Sequence, residues 1–315
     1  MEKINIFILH PEEKLAKHIS EYFPTQIAYC EVSKFKDGEI SFENHTSIRN
    51  GKCFILQTIN GNVNDRLMEV LIAIDALKRA SAGEINVVMP YLCYTRQDRK
   101  ARPRQPISAR LVADMLEKAG SDRIVTLDLH APQVEGFYSI PVDNVSMIPL
   151  FYQFLKEQKK ITKHMVVVAS DHGGAVRARK MAEKIGCPVA IIDKRREKAN
   201  EVKSMRIIGD VKGQDCLLVD DLVDTGETLC KAATLLKECG ASSVSACCSH
   251  AVLSGHAVEQ IQAAPFDAFY VTNSLEKAYL LGEDHVLDIA KCLAQIIQSI
   301  VQGDAVTEMI ENFTL

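Results

Sequence analysis

The 315-residue sequence has no excess of positive charge. Its 37 basic residues are outnumbered by 41 acidic ones, for a net charge of −4. That balance lacks the electrostatic footprint of a nucleic-acid-binding protein. No apolar stretch reaches the length needed to cross a bilayer. The opening MEKINIFILHPEEK has only a short apolar run before charge, so it reads as a first strand and not as a signal peptide. The ten cysteines include no C-x-x-C and no Cys/His cluster at zinc spacing. They are expected to be free thiols in a reducing compartment, mostly buried as small apolar residues. A soluble, cytoplasmic protein is expected, with no nucleic acid and no membrane among its partners.

What remains is ample for a core. The chain is 47% hydrophobic, and its length points to about two domains. Strand-like runs at 4–9, 27–32, 53–57, 85–89 and 124–127 alternate with helical ones at 12–22, after Asn64, and at 107–119. The pattern pauses near Pro141 and then resumes. A helix over 150–159 precedes strands at 165–169, 189–192, 216–219, 244–248 and 268–271. Helices at 175–185, 229–239 and 289–301 complete it. The expectation is an α/β fold with largely parallel sheets flanked by helices. Val87-Val88 precedes Arg99-Lys100 at the spacing at which Val167-Val168 precedes Arg179-Lys180. Each half also places an acid at a later strand end, Asp128 and Asp220. A duplicated fold is expected, with tandem domains at 1–146 and 147–315.

The most informative stretch reads CLLVDDLVDTGET, residues 216–228. A short apolar strand is followed by Asp220 and Asp221, then by Asp224, Thr225, Gly226, Glu227 and Thr228, then by a helix. Ligands of open α/β sheets sit beyond the carboxyl ends of the strands, and helix N-termini attract phosphate. Backbone N–H groups and the two threonine hydroxyls suit a phosphate. The paired acids suit vicinal sugar hydroxyls or a hydrated Mg²⁺. The alternative is an ordinary strand-to-helix turn with acids at the helix start.

Other constellations follow strands. Ser170-Asp171-His172-Gly173-Gly174 offers an acid for a cation or sugar, or a simple helix cap. Residues 193–198, DKRREK, carry four cations, including Lys194 and Arg196, which suit phosphate contacts or form a solvated face. Asp128-Leu129-His130 is expected to put acid and histidine on one face of a strand end. Residues 94–104, YTRQDRKARPR, form a cationic loop, suited to closing over polyphosphate. Phe35-Lys36-Asp37-Gly38-Glu39 alone is a turn.

Taken together these stretches resemble the ribose-phosphate pyrophosphokinases, the PRPP synthetases of the phosphate-dependent class I, which carry the type I phosphoribosyltransferase fold. The shared runs include FKDGE at 35–39, NDRLME at 64–69, RQDRK at 96–100, PISARL at 106–111, DLHA at 128–131, IDKRR at 192–196 and IIGDVKG at 207–213. The resemblance implies two tandem phosphoribosyltransferase-like domains, the first with ATP loops and flap, the second with the ribose 5-phosphate loop. It implies ATP contacts at Phe35, Asp37, Gly38, Glu39, Arg96 and Gln97. It implies Mg²⁺ contacts at His130 and Asp171, and catalytic roles for Lys194 and Arg196. Ribose 5-phosphate would be held by Arg196, Asp220, Asp221, Asp224, Thr225, Gly226, Glu227 and Thr228. The implied reaction moves the diphosphoryl group of MgATP onto the anomeric hydroxyl of ribose 5-phosphate, giving PRPP and AMP. The implied assembly is a homohexamer whose ATP site is shared between subunits, activated by phosphate and inhibited by ADP.

Three departures from the family pattern stand out. Asp-Thr-Gly-Glu-Thr replaces Asp-Thr-Ala-Gly-Thr at 224–228, which resembles a base phosphoribosyltransferase and puts Glu227 beside a phosphate. Ala169-Ser170 replaces Ser-Pro before Asp171. Leu9-His10-Pro11 replaces a small-residue turn. The alternatives are a base phosphoribosyltransferase and a non-catalytic regulatory subunit. The first leaves residues 35–39 and 96–98 without a purpose, and the second is at odds with intact Lys194, Arg196, His130 and Asp171.

Overall fold

The computed structural model describes residues 3–195, 204–311 and 313–314. It divides into two compact units. The first comprises Met1–Ser146, Ser274–Glu276 and Ile289–Ile310, and the second Met147–Asn273, Lys277–Asp288 and Glu311–Leu315.

In the first unit the strands are β1 (Ile4–Ile8), β2 (Ile27–Ala28), β3 (Cys30–Lys34), β4 (Ile40–Asn44), β5 (Lys52–Leu56), β6 (Glu84–Val88), β7 (Arg123–Leu127) and β8 (Val142–Val145). Six of them form a parallel sheet in the order β2-β1-β5-β6-β7-β8. Strands β5, β6 and β7 are each buried over four consecutive residues, as befits parallel strands covered on both faces. Strands β3 and β4 form a separate antiparallel hairpin. The run expected at 27–32 is therefore two strands, broken at Tyr29. Helices α1 (Lys14–Tyr22), α2 (Val63–Arg79) and α3 (Ser108–Ala119) cover the sheet. The cap of α2 is Asn62, whose side chain accepts the N–H of Asn64, so Asn64 is the capped residue and not the cap.

In the second unit, α4 (Ile148–Glu157), α5 (Ala175–Ile185), α6 (Glu227–Glu238) and α7 (Ala257–Ala263) flank seven strands. These are β9 (Met165–Ala169), β10 (Val189–Arg195), β11 (Ser204–Ile208), β12 (Asp215–Val223), β13 (Ser243–Ala251), β14 (Ala268–Thr272) and β15 (Val286–Leu287), in the order β11-β10-β9-β12-β13-β14-β15. Only β11 runs antiparallel to its neighbour. With β11 set aside, the strands follow the same spatial order as the first sheet, which is the duplication expected from the sequence echo. A last long helix, α8 (Ala290–Gln302), packs on α1, while α4 packs on α5. The helix after β8 thus belongs to the second unit, and the helix after β15 to the first.

The first unit buries a charged network at the carboxyl ends of β1 and β5. Glu69 Oε2 accepts from His10 Nε2 (2.8 Å) and Gln57 Nε2 (2.6 Å), and lies 3.5 Å from Arg66 Nη1. Arg66 Nη2 reaches Glu13 Oε1 at 3.1 Å, and the Thr58 hydroxyl donates to the other oxygen of Glu13. His10 Nδ1 also lies 3.1 Å from Glu12. The Leu9-His10-Pro11 departure is therefore built into a hydrogen-bonded cluster rather than an open turn.

Candidate active site

In the second unit the site elements sit at the carboxyl ends of β9, β10 and β12. Strand β12 runs through both acids to Val223, four residues beyond the expected end at Val219. Asp220 and Asp221 therefore lie within the strand and meet different surroundings. The Asp220 side chain is 19% exposed and the Asp221 side chain 7%. Asp221 Oδ1 is bound by Arg177 Nη1 of α5 at 2.9 Å, and the same nitrogen lies 3.9 Å from Asp220 Oδ1. Of the two acids expected at a sugar, Asp220 holds the more exposed position and Asp221 is an internal ion-pair partner.

Asp220 is held at both oxygens. Oδ2 accepts from the Ser170 hydroxyl at 2.9 Å, and Oδ1 from the Asp221 N–H at 3.0 Å. Burial, with the neighbouring Asp221 carboxylate adding to it, raises the Asp220 carboxyl to about 7; Ser170 and Arg177 pull the other way. Ser170 stands where the family pattern has proline, and its hydroxyl makes a hydrogen bond that proline cannot.

The loop after β12 turns through Gly226, with φ +77°, into α6. A Cβ there would lie 3.3 Å from Ile261 Cγ1 of α7, so glycine is required both by conformation and by space. Gly226 is the cap residue of α6 and brings no side chain of its own to the helix start. The first N–H groups of a helix have no intrahelical acceptors, and here they adjoin the exposed Thr225 and Thr228. Asp224 is half-buried, and its carbonyl accepts the Ser254 N–H at 3.0 Å. Glu227 is exposed and its carboxylate is ion-paired with Lys231. This arrangement suits a phosphate monoester at the helix N-terminus with a sugar reaching toward Asp220.

Asp171 is exposed and accepts the Gly174 N–H at 3.0 Å, so it caps the start of α5 as well as facing solvent. His172 Nε2 lies 2.9 Å from Asp193 Oδ1. Lys194 lies on β10, opposite Met205 in the antiparallel register. Arg196 lies outside the described residues.

In the first unit the expected nucleotide residues fall on two loops. Phe35, Asp37, Gly38 and Glu39 form the tip of the β3–β4 hairpin. The Phe35 N–H donates to the Glu39 carbonyl (2.8 Å), and the Glu39 N–H to Asp37 Oδ1 (3.1 Å). Gly38 takes φ +98°, and the Phe35 ring is 58% exposed, a flat surface available for stacking. Arg96 and Gln97 follow β6 and are exposed. The Gln97 amide oxygen accepts from Ser108, and its carbonyl takes the Ala109 N–H, so the loop is anchored to the start of α3. From Arg99 to Arg104 every residue is exposed. Strand β7 ends at Leu127, and Asp128 adopts φ +34°. Asp128 and His130 therefore do not alternate along a strand as expected. Asp128 is buried and donates its N–H to the Val145 carbonyl, while His130 is exposed.

Sequence reasoning missed Arg177 and Ser170 as parts of the site. Arg177 carried a signal, a cation two residues into the helix after the Gly-Gly turn. Ser170 carried only its departure from the family's proline, because the register alone brings it level with Asp220.

Comparison with known proteins agrees with this architecture. Residues 4–120 match the family model of the N-terminal domain of ribose phosphate pyrophosphokinase, and residues 149–271 that of the phosphoribosyl transferase domain. The chain is 49% identical over 273 residues to a ribose-phosphate pyrophosphokinase of Bacillus caldolyticus, covering 87% of this chain and 86% of that protein. It is 43% identical to ribose-phosphate pyrophosphokinase 1 of Listeria monocytogenes, over 98% of each. The crystal structure of phosphoribosylpyrophosphate synthetase from Mycobacterium smegmatis superposes with a TM-score of 0.89 at 38% identity, covering 96% of this chain and 100% of that one. With both halves matched in order and near-full-length relatives this similar, the chain belongs to the ribose-phosphate pyrophosphokinase family.

Proposed function

We propose that the protein is a ribose-phosphate diphosphokinase, converting ATP and ribose 5-phosphate to PRPP and AMP. The observation that carries the reading is the doubly anchored Asp220 upstream of the glycine-led, threonine-flanked N-terminus of α6. Asp220 accepts from the ribose hydroxyls, and residues 224–228 hold the 5-phosphate. Lys194 and Arg196 offset charge that develops on the β-phosphate. A bond forms between the anomeric oxygen and the β-phosphorus while the bridge to the α-phosphate breaks. AMP leaves with that electron pair, and the hydroxyl proton passes to solvent. Little covalent work falls to the protein, whose contribution is positioning and charge neutralisation.

The hairpin tip from Phe35 to Glu39, with Arg96 and Gln97, receives ATP, and the cationic stretch beyond Gln97 closes over its polyphosphate. Asp171 fits a hard cation, being exposed and carrying oxygen donors, one of which also takes the Gly174 N–H. His130 is exposed and offers a nitrogen, the less suited donor. Bound Mg²⁺ supplies charge neutralisation on the polyphosphate. Division of labour follows the tandem halves: 1–146 carries the nucleotide loops and flap, and 147–315 the sugar-phosphate loop. Self-association as a homohexamer, with the exposed Phe35 hairpin serving a neighbouring subunit, is part of the same reading. A cytoplasmic setting fits ten free thiols and the absence, among the described residues, of any helix long and apolar enough to cross a membrane.

The test is AMP and PRPP formation by the purified protein. Formation that requires ATP, Mg²⁺ and ribose 5-phosphate together is expected. Activity with PRPP and a free base would select a base phosphoribosyltransferase instead, and substrate binding without turnover a regulatory subunit.

A further inference from the structure

We propose that Ser170 is a positioning residue for ribose 5-phosphate, acting through Asp220. The inference rests on the reading of Asp220 as the sugar contact. In the parallel β9–β12 register Val168 stands opposite Leu218, which brings Ser170, two residues on, level with Asp220. Ser170 is 1% exposed, so its hydroxyl has no competing solvent. It donates to Asp220 Oδ2 at 2.9 Å, while Oδ1 is held by the Asp221 N–H at 3.0 Å. A carboxylate oxygen has two acceptor sites. The Ser170 hydroxyl takes one acceptor site of Oδ2 and leaves the other for a sugar hydroxyl.

The competing partner is Arg177. Its Nη1 is 2.9 Å from Asp221 and 3.9 Å from Asp220 Oδ1. A small rotation of the Asp220 side chain would shorten that longer ion pair to a second hydrogen-bonded contact, directing its lone pairs inward. The Ser170 hydrogen bond opposes that rotation. Ser170 thus keeps Asp220 presented to the sugar while Arg177 remains committed to Asp221. A hydroxyl bonded to a carboxylate contributes enough to matter at this level, as hydrogen bonds to charged groups exceed neutral ones.

Steady-state kinetics of Ser170→Ala, with Ser170→Thr as the variant that keeps the hydroxyl, tests the inference. The alanine variant should raise the KM for ribose 5-phosphate about tenfold, with the KM for ATP and the kcat within about twofold of the parent. The threonine variant should restore the parent value. Calorimetric titration of ribose 5-phosphate into the parent and Ser170→Ala proteins, without ATP, should show the same weakening. An unchanged ribose 5-phosphate affinity in Ser170→Ala, or an equal rise in both Michaelis constants, overturns the inference and leaves the proposed reaction standing. A parent protein that neither binds ribose 5-phosphate nor forms AMP overturns both.

Discussion

The carboxylate of Glu227 is ion-paired with the ammonium of Lys231, one turn further along α6. The acid that departs from the family pattern is therefore drawn along the helix flank. Lys231→Ala should release it toward the phosphate and raise the KM for ribose 5-phosphate about twofold to fivefold, the range of an exposed ion pair. Glu227→Ala should lower it. Kinetics at low and high salt check this, since screening should shrink both effects.

Asp220 accepts from sugar hydroxyls most strongly, and at both oxygens, when ionised, and burial beside Asp221 raises its carboxyl to about 7. Ribose 5-phosphate affinity should therefore fall as pH drops through about 7. Stability should move the opposite way. The folded state binds this proton more tightly than the unfolded chain does, so the contribution is complete below the ordinary carboxylate range and is lost as pH rises through about 7. Calorimetric titrations and thermal melts across this range check both signs. Asp220→Asn should flatten the two curves and bind the sugar weakly throughout.

Gly226 is left-handed, and a methyl there meets Ile261. Gly226→Ala should cost about 1–2 kcal/mol in denaturant unfolding, the penalty for an L-residue in that conformation. It should also weaken ribose 5-phosphate binding, because the turn aims the start of α6.

Arg66 lies between Glu13 and Glu69, whose side chains are 5% and 6% exposed. Removing the cation leaves the buried Glu13 and Glu69 without their shared guanidinium, with only neutral donors and His10 to hold them. Arg66→Met should destabilise the first unit by about 3 kcal/mol, measured by denaturant unfolding, because breaking a buried pair costs more than the pair contributes.

Lys194→Ala should lower turnover about a hundredfold to a thousandfold, by analogy with loss of one transition-state donor. The KM for ribose 5-phosphate should change much less. Near-parent turnover would remove Lys194 from the chemistry.

The fold was legible in the sequence where local and tertiary forces agree. The strand Met165–Ala169 and helix Ala175–Ile185 were read to the residue, because an apolar run and then a helical period are separated by Gly173-Gly174 and ended by Gly186. Strand β4 was missed because hairpin strands of half-buried, mixed residues have no strong period. Helix α7 was missed because seven residues give barely two turns of pattern. Strand β12 was cut short because acids argue against a strand interior, yet its last pairs run on to His250 and Ala251. At the site, the motif located Asp220 and Gly226 from short-range order. The separation of Asp220 from Asp221 depended on Arg177, which lies 44 positions from its partner in the chain.

The return of α8 to the first unit has a consequence for how the chain folds. Helix α8 lies within the last thirty or so positions of the chain but is a wall of the first unit, against α1. The first unit therefore completes its own core only once residues 290–302, which follow every strand of the second unit, are available to it. A protein clipped between residues 146 and 147 would leave the N-terminal fragment short of a helix that only the other fragment can donate, while the C-terminal fragment keeps every helix of its own unit.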